Sequence, residues 1–135
     1  MRRLRLWALT AALTAGAALA AAGSIEAAPA TSIVGTWSGN LTPSPGGHAW
    51  RQRFTVVVNP GERGGTWRIG PQCAGTLRLK DISGGYHHYY RVAGAHAGCA
   101  PPGVDCLKRA GAQMVDVFVS NSGTANSTGT FRRIR

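Results

Sequence analysis

Histidine and cysteine have the most chemistry to offer in this sequence, and they gather in one stretch. His87-His88 lies within Tyr86-His87-His88-Tyr89-Tyr90-Arg91-Val92, and His96-Ala97-Gly98-Cys99 follows shortly after. A transition-metal site needs imidazoles or thiolates converging at about 2 Å on one ion. Adjacent residues on a strand point to opposite faces, so His87 and His88 cannot chelate together. His88 would need a remote partner, His48 or His96, and nothing in the spacing requires one. His96 and Cys99 have ligand-like spacing, but a small exported domain uses such a cysteine better in a disulfide. No metal site or cofactor is expected. Catalysis has as little support. Asp116 with a histidine and a serine can be drawn as a triad, yet no Gly-x-Ser-x-Gly elbow surrounds a nucleophile. No two of the acids stand at a spacing suited to glycoside hydrolysis. Cys106 has neither a visible base nor a source of depressed pKa. The expectation is therefore a protein that is not an enzyme. Histidine and aspartate side chains converging in a cleft would reverse it.

The aromatic residues are more suggestive. Trp50, Trp67, Tyr86, Tyr89 and Tyr90 fall on strands with Arg53, Arg68 and Arg91 interleaved. Aromatic-plus-arginine strand faces recur in binders of single-stranded nucleic acid and sugars. Tyrosine and tryptophan also pack well across strands with no ligand at all. The candidate ligand-binding set is Arg53, Trp67, Arg68, Tyr86, His88, Tyr90 and Arg91. A barrel open at one end, lined inside by Tyr86, His88, Tyr90 and Phe54, would hold a small hydrophobic ligand.

The elements that must position these residues are short strands. Trp50 to Asn59 places Phe54, Val56 and Val58 on one face at period two. Gly75 to Lys80 buries Leu77 and Leu79 and exposes Arg78 and Lys80. After the Gly84-Gly85 turn, Tyr86, His88, Tyr90 and Val92 share one face, and His87, Tyr89 and Arg91 the other. Gln113 to Ser120 sets Val115, Val117 and Val119 against Met114, Asp116 and Phe118. With strands near 32–39, 65–69 and 125–134, and a poor one at 104–109, the count is about eight. Their regular spacing and glycine turns predict an all-β, antiparallel, up-and-down barrel. Closure would also dispose of the sheet edges.

Residues 1–22 read as a signal peptide, with Arg2, Arg3 and Arg5 before an apolar, alanine-rich run. Residues 23–31 read as a linker and 32–135 as a single barrel domain. That predicts a secreted protein with no stable membrane insertion once the signal is removed. Removing it changes the formal charge from +10 to about +7, because three arginines leave and all five acids, Glu26, Glu62, Asp81, Asp105 and Asp116, remain. Such a field favours anionic partners. The three cysteines read as one disulfide plus one left over. Either Cys73–Cys99 or Cys99–Cys106 is possible, and the hairpin register favours Cys73–Cys99. Cys106 is then a small buried hydrophobe or a free thiol.

Gly35-Thr36-Trp37 on the first strand and Arg132-Arg133 on the last resemble the G-x-W and closing arginine of the calycin superfamily. That resemblance implies a barrel closed by an arginine packed across Trp37, assigned here to Arg132. The order G-T-W-x-G, alternating valine strand, C-x-G-T-L-x-L, G-Y-x-x-Y-x-V, G-x-C and small-Thr-Gly-x-Phe-Arg is similar to a small secreted actinobacterial all-β domain of unknown function. It is also similar to extracellular domains of some bacterial Ser/Thr kinases. In that pattern two cysteines flank the central hairpin, where Cys73 and Cys99 stand here. Cys106 departs from it, and Pro101-Pro102 and Asp105 put the pairing of the 104–109 strand in question.

The functional expectation is a non-catalytic extracellular binding module for an anionic or cell-envelope ligand, with nucleic acid disfavoured. The alternatives are a carrier of a small hydrophobic ligand inside the barrel, and an inhibitor or interaction domain that uses the 94–103 loop.

Overall fold

The computed structural model describes residues 31–44, 51–94, 102–123 and 126–135. Eight strands follow in sequence order: β1 Gly35–Pro43, β2 Gln52–Val58, β3 Gly64–Ile69, β4 Cys73–Ser83, β5 Tyr86–Ala93, β6 Gly103–Ala110, β7 Gln113–Ser120 and β8 Asn126–Arg133. Each pairs antiparallel with the next, and β8 pairs back onto β1, so the sheet is a closed barrel with no edge strand. Among the described residues there is no helix. The proposed signal peptide, most of the proposed linker, His48, Trp50, His96 and Cys99 lie outside the described residues.

Period-two alternation decides what fills the interior. Trp37 and Leu41 of β1, Phe54, Val56 and Val58 of β2, Trp67 of β3 and Leu77 of β4 all point inward and are buried. Tyr89, Leu107, Met114, Phe118 and Phe131 complete the core from the other strands. An eight-stranded barrel is just wide enough for side chains to fill it. Inward glycines make that filling possible here. At Gly39 an added Cβ would stand 2.1 Å from the Phe131 ring and 2.3 Å from the Thr130 carbonyl, so the large ring occupies space the glycine vacates.

Two expectations change. First, the 104–109 strand is a full eight-residue β6, paired on both sides. Asp105 does not disturb it, because its side chain turns inward to an arginine. Second, the interior of β5 is the opposite of the expected one. His87, Tyr89 and Arg91 face inward, while Tyr86, His88, Tyr90 and Val92 face out. Of the proposed cavity lining only Phe54 is inside. On β7, where alternation defines two faces without saying which is inner, Met114, Asp116 and Phe118 are buried and the three valines turn outward. In both strands the large inward rings and the charged pair set the register against the simple hydrophobic count.

The end of the barrel where the chain enters is closed by residues 32–34. Ile33 is fully buried and its carbonyl accepts from the Trp37 indole Nε1 at 2.7 Å. Two guanidinium groups lie over the Trp37 ring, Arg109 at 4.8 Å and Arg133 at 5.3 Å. The closing arginine is therefore Arg133, which also donates to the Val34 carbonyl. Arg132, the expected one, alternates to the outer face beside Ser38 and Gln113.

Candidate functional site

Inside the barrel, β5, β6 and β7 bring together three charged side chains that no motif announces. Arg91 Nε donates to Asp105 Oδ2 at 2.8 Å, and Nη2 donates to Oδ1, a bidentate pair. The guanidinium lies over the rings of Phe118, Phe54 and Trp67 at 3.9, 4.8 and 5.4 Å. Asp116 enters from the next strand. It is completely buried, and among the described residues no N–H or hydroxyl donor of another residue reaches its carboxyl oxygens; its one side-chain hydrogen bond is to Asp105. Burial pushes both carboxyl groups above the ordinary range. Arg91 draws Asp105 back through two hydrogen bonds. Asp116 has no such donor and faces the Asp105 carboxylate, so the proton of the pair resides on Asp116. The cluster is thus a neutral assembly of a guanidinium, a carboxylate and a carboxylic acid.

At the closed end, Glu62 holds the entering chain. It adopts φ of +58° in the β2–β3 turn, a left-handed conformation uncommon for a side chain other than glycine or asparagine. One carboxylate oxygen accepts from Ser32 Oγ at 2.7 Å and from the Ile33 N–H at 2.8 Å. The other meets His87 Nε2 at 2.7 Å. Burial alone would raise its pKa, but these hydrogen bonds outweigh it and hold the carboxyl below the ordinary range. Tyr89 Oη donates to the Glu62 carbonyl at 2.7 Å, fixing the same turn from beneath.

The outer face of β4–β6 carries the remaining candidates. A bulge at Leu79/Asp81 breaks the alternation of β4, and Lys80 and Asp81 both reach an outer cleft of about 360 Å³. That cleft is also lined by His88, Val104, Cys106 and Val119. His88 Nδ1 meets Asp81 Oδ1 at 2.6 Å, and Ser83 Oγ donates to the same oxygen at 2.9 Å. Those contacts, His88 first, lower the Asp81 pKa. Beside them the Arg78 guanidinium lies 5.1 Å from the Tyr90 ring centroid, and Lys108 Nζ lies 5.1 Å from that of Tyr86. Tyr86 and His88 stack with centroids 6.3 Å apart.

The expected ligand-binding set is therefore divided by the sheet. Trp67 and Arg91 are interior, and Trp67 Nε1 donates to the Val92 carbonyl at 3.0 Å. Tyr86, His88 and Tyr90 stand together outside. Arg53 and Arg68 are exposed on β2 and β3, at a different part of the wall, where Arg53 borders a shallow cleft of about 290 Å³ with Ile69, Pro71 and Cys73. Glu62 was not singled out by the sequence, Asp116 was raised only as a member of an unsupported triad, and Asp105 only as a residue disturbing its strand. An aspartate alternating with core residues on β7 was the available signal for one of them.

Histidine and aspartate do converge in a cleft that Cys106 also lines, the arrangement that would favour catalysis. The thiol does not fit it. Burial, with the Asp116 and Asp105 carboxyl groups behind the sheet, pushes Cys106 up to about 11, so it rests as a thiol at neutral pH. No group of three or more metal-ligating side chains exists among the described residues. Comparison with protein-family models, curated proteins and solved structures finds no match to this chain.

Proposed function

We propose that the chain is a secreted, non-catalytic binding module for an anionic ligand of the cell envelope. The observation that carries this reading is the distribution of its acids. Asp105 and Asp116 are fully buried, and Glu62 is engaged by Ser32, Ile33 and His87. Among the described residues this leaves Asp81 as the one acid on the outer wall. Of the twelve lysines and arginines beyond residue 30, Arg91 alone is buried. The exterior is more cationic than the formal charge states, and such a field attracts polyanions. A carrier would need a chamber, whereas the described inward side chains are aromatic and aliphatic groups packed around the Arg91–Asp105–Asp116 cluster. Export follows from the signal-like residues 1–22, and a Cys73–Cys99 bridge belongs to the same reading.

The test is retention of the mature protein on purified cell-wall material and its release by salt. Binding at about 50 mM salt that falls steeply by about 200 mM is the expected result. Absence of binding to wall material and to every soluble polyanion at the lower salt would remove the proposal.

A further inference from the structure

We infer that the outer face of β4–β6 is the ligand-reading surface, and that its ligand is a phosphodiester polymer without aromatic groups, of the polyol-phosphate type. This rests on the binding-module reading and adds where the polymer lies and what it is made of. The ladder Tyr90, His88, Tyr86 runs along β5 with one residue between successive rungs, about 6.6 Å per step. A cation attends each rung. Arg78 is paired across from Tyr90, Lys80 faces outward two residues on and lines the cleft with His88, where the bulge seats Asp81 directly opposite, and Lys108 lies over Tyr86. Three positive charges thus flank β5 from both neighbouring strands, beside rungs whose step is close to the phosphate repeat of an extended phosphodiester backbone.

Two further features narrow the ligand. Among the described residues neither Arg78 nor Lys108 has a carboxylate partner, so their donors remain available to an anion. Lys80 is 3.8 Å from Asp81, whose charge is shared with His88 and Ser83. The second feature concerns the rings. In a platform for nucleobases the aromatic faces are open for stacking. Here Arg78 and Lys108 lie over Tyr90 and Tyr86, so the rings hold cations in place. That arrangement suits a polymer that offers phosphate and no bases. The exposed Val92 and Val119 at the margin provide contacts for a carbon spacer.

The experiment measures binding of the mature full-length protein to fluorescent synthetic poly(glycerol phosphate) across a salt series. Single-stranded DNA and polyglutamate serve as the other two probes. Three phosphate contacts predict a slope of log affinity against log salt of about −2, shrinking by about 0.7 for each cation removed. Arg78→Ala, Lys80→Ala and Lys108→Ala should each weaken binding several-fold. Arg132→Ala, on the outer face of β8, should leave it unchanged. All four side chains are exposed, so each variant should keep the wild-type melting temperature. Equal losses in Arg132→Ala and Arg78→Ala would overturn the ladder while leaving a binding module with a diffuse field. Tighter binding of single-stranded DNA than of poly(glycerol phosphate) would overturn the ligand class. If no probe binds at low salt, the ladder and the binding-module reading both fail.

Discussion

Asp116→Asn is the substitution that tests the interior most directly. Asp116 is fully buried, receives no donor from another described residue, and hydrogen-bonds the carboxylate of the Arg91–Asp105 pair. Burial first, and Asp105 second, raise its folded-state pKa well above that of an unfolded aspartate, about 3.9. The sign follows from proton linkage. Between those two values the folded chain holds one proton that the unfolded chain has released, so stability falls as pH rises. One proton corresponds to a slope of about 1.4 kcal/mol per pH unit, ending where the folded acid itself ionises. Asparagine has the same shape and no proton to lose, so it should remove that slope. Its amide carries two N–H donors where the acid carries one O–H, and the donor Asp105 does not accept costs about 1–3 kcal/mol at every pH. The slope is therefore the diagnostic quantity and the intercept is not. Urea unfolding followed by tryptophan fluorescence from pH 4.5 to about 8 measures both. Parallel pH profiles for the wild type and Asp116→Asn would refute the assignment of the proton to Asp116.

Other perturbations probe the remaining contacts. Asp105→Ala strands the buried Arg91 guanidinium and should cost about 3–5 kcal/mol, more than Asp116→Asn at any pH, by urea unfolding. Glu62→Gln should weaken the hold on residues 32–34 by about 1 kcal/mol, discounted for partial exposure. Because the folded pKa of Glu62 is depressed, that contribution is present above about pH 4.3 and is lost as pH falls through the folded value, so the two proteins should converge in acid. Gly39→Ala should destabilise by more than 2 kcal/mol, since its Cβ meets Phe131 and the Thr130 carbonyl, and thermal unfolding reads this. Thiol titration of the unreduced, denatured protein should find one thiol per chain, from Cys106, and native Cys106 should alkylate slowly at pH 7.

The strand count, the antiparallel order and closure were legible because alternation and glycine turns are local signals. Phe54, Val56 and Val58 form an inward face as their spacing demands. β5 and β7 were not legible in the same way. On β5 both faces carry aromatic residues, so period two identifies the faces without saying which is inside. The choice is made by partners distant in sequence, Glu62 for His87 and Tyr89, and Asp105 for Arg91. On β7 three valines point out because Met114 and Phe118 fill more of the interior and Asp116 joins the charged cluster. Arg78 and Lys80 face outward as alternation expects, but the turn of Asp81 to His88 depends on a bulge, which adds one residue to one strand without a composition cue. The closing arginine was misplaced by one residue, which on a strand means the opposite face.

Burying Arg91, Asp105 and Asp116 is an expensive way to fill a barrel. A buried ion pair is often matched or exceeded in stability by apolar side chains of the same volume. What the charged cluster does that an apolar core cannot is fix one register. A slip of one residue in β5, β6 or β7 would expose the partner of a buried charge and seat Tyr90, Cys106 or Val117 inside instead. The same cluster also shapes the exterior. It removes two acids from the surface together with only one cation, and it holds β5 so that Tyr86, His88 and Tyr90 face out between Arg78 and Lys108. Replacing the whole cluster by apolar residues should therefore do more than change stability. An Arg91→Met, Asp105→Leu, Asp116→Leu variant should stay folded yet lose uniqueness, seen as doubled or broadened amide resonances along β5–β7. A single sharp set of resonances with wild-type polyanion binding would show that packing alone sets the register and the outer ladder.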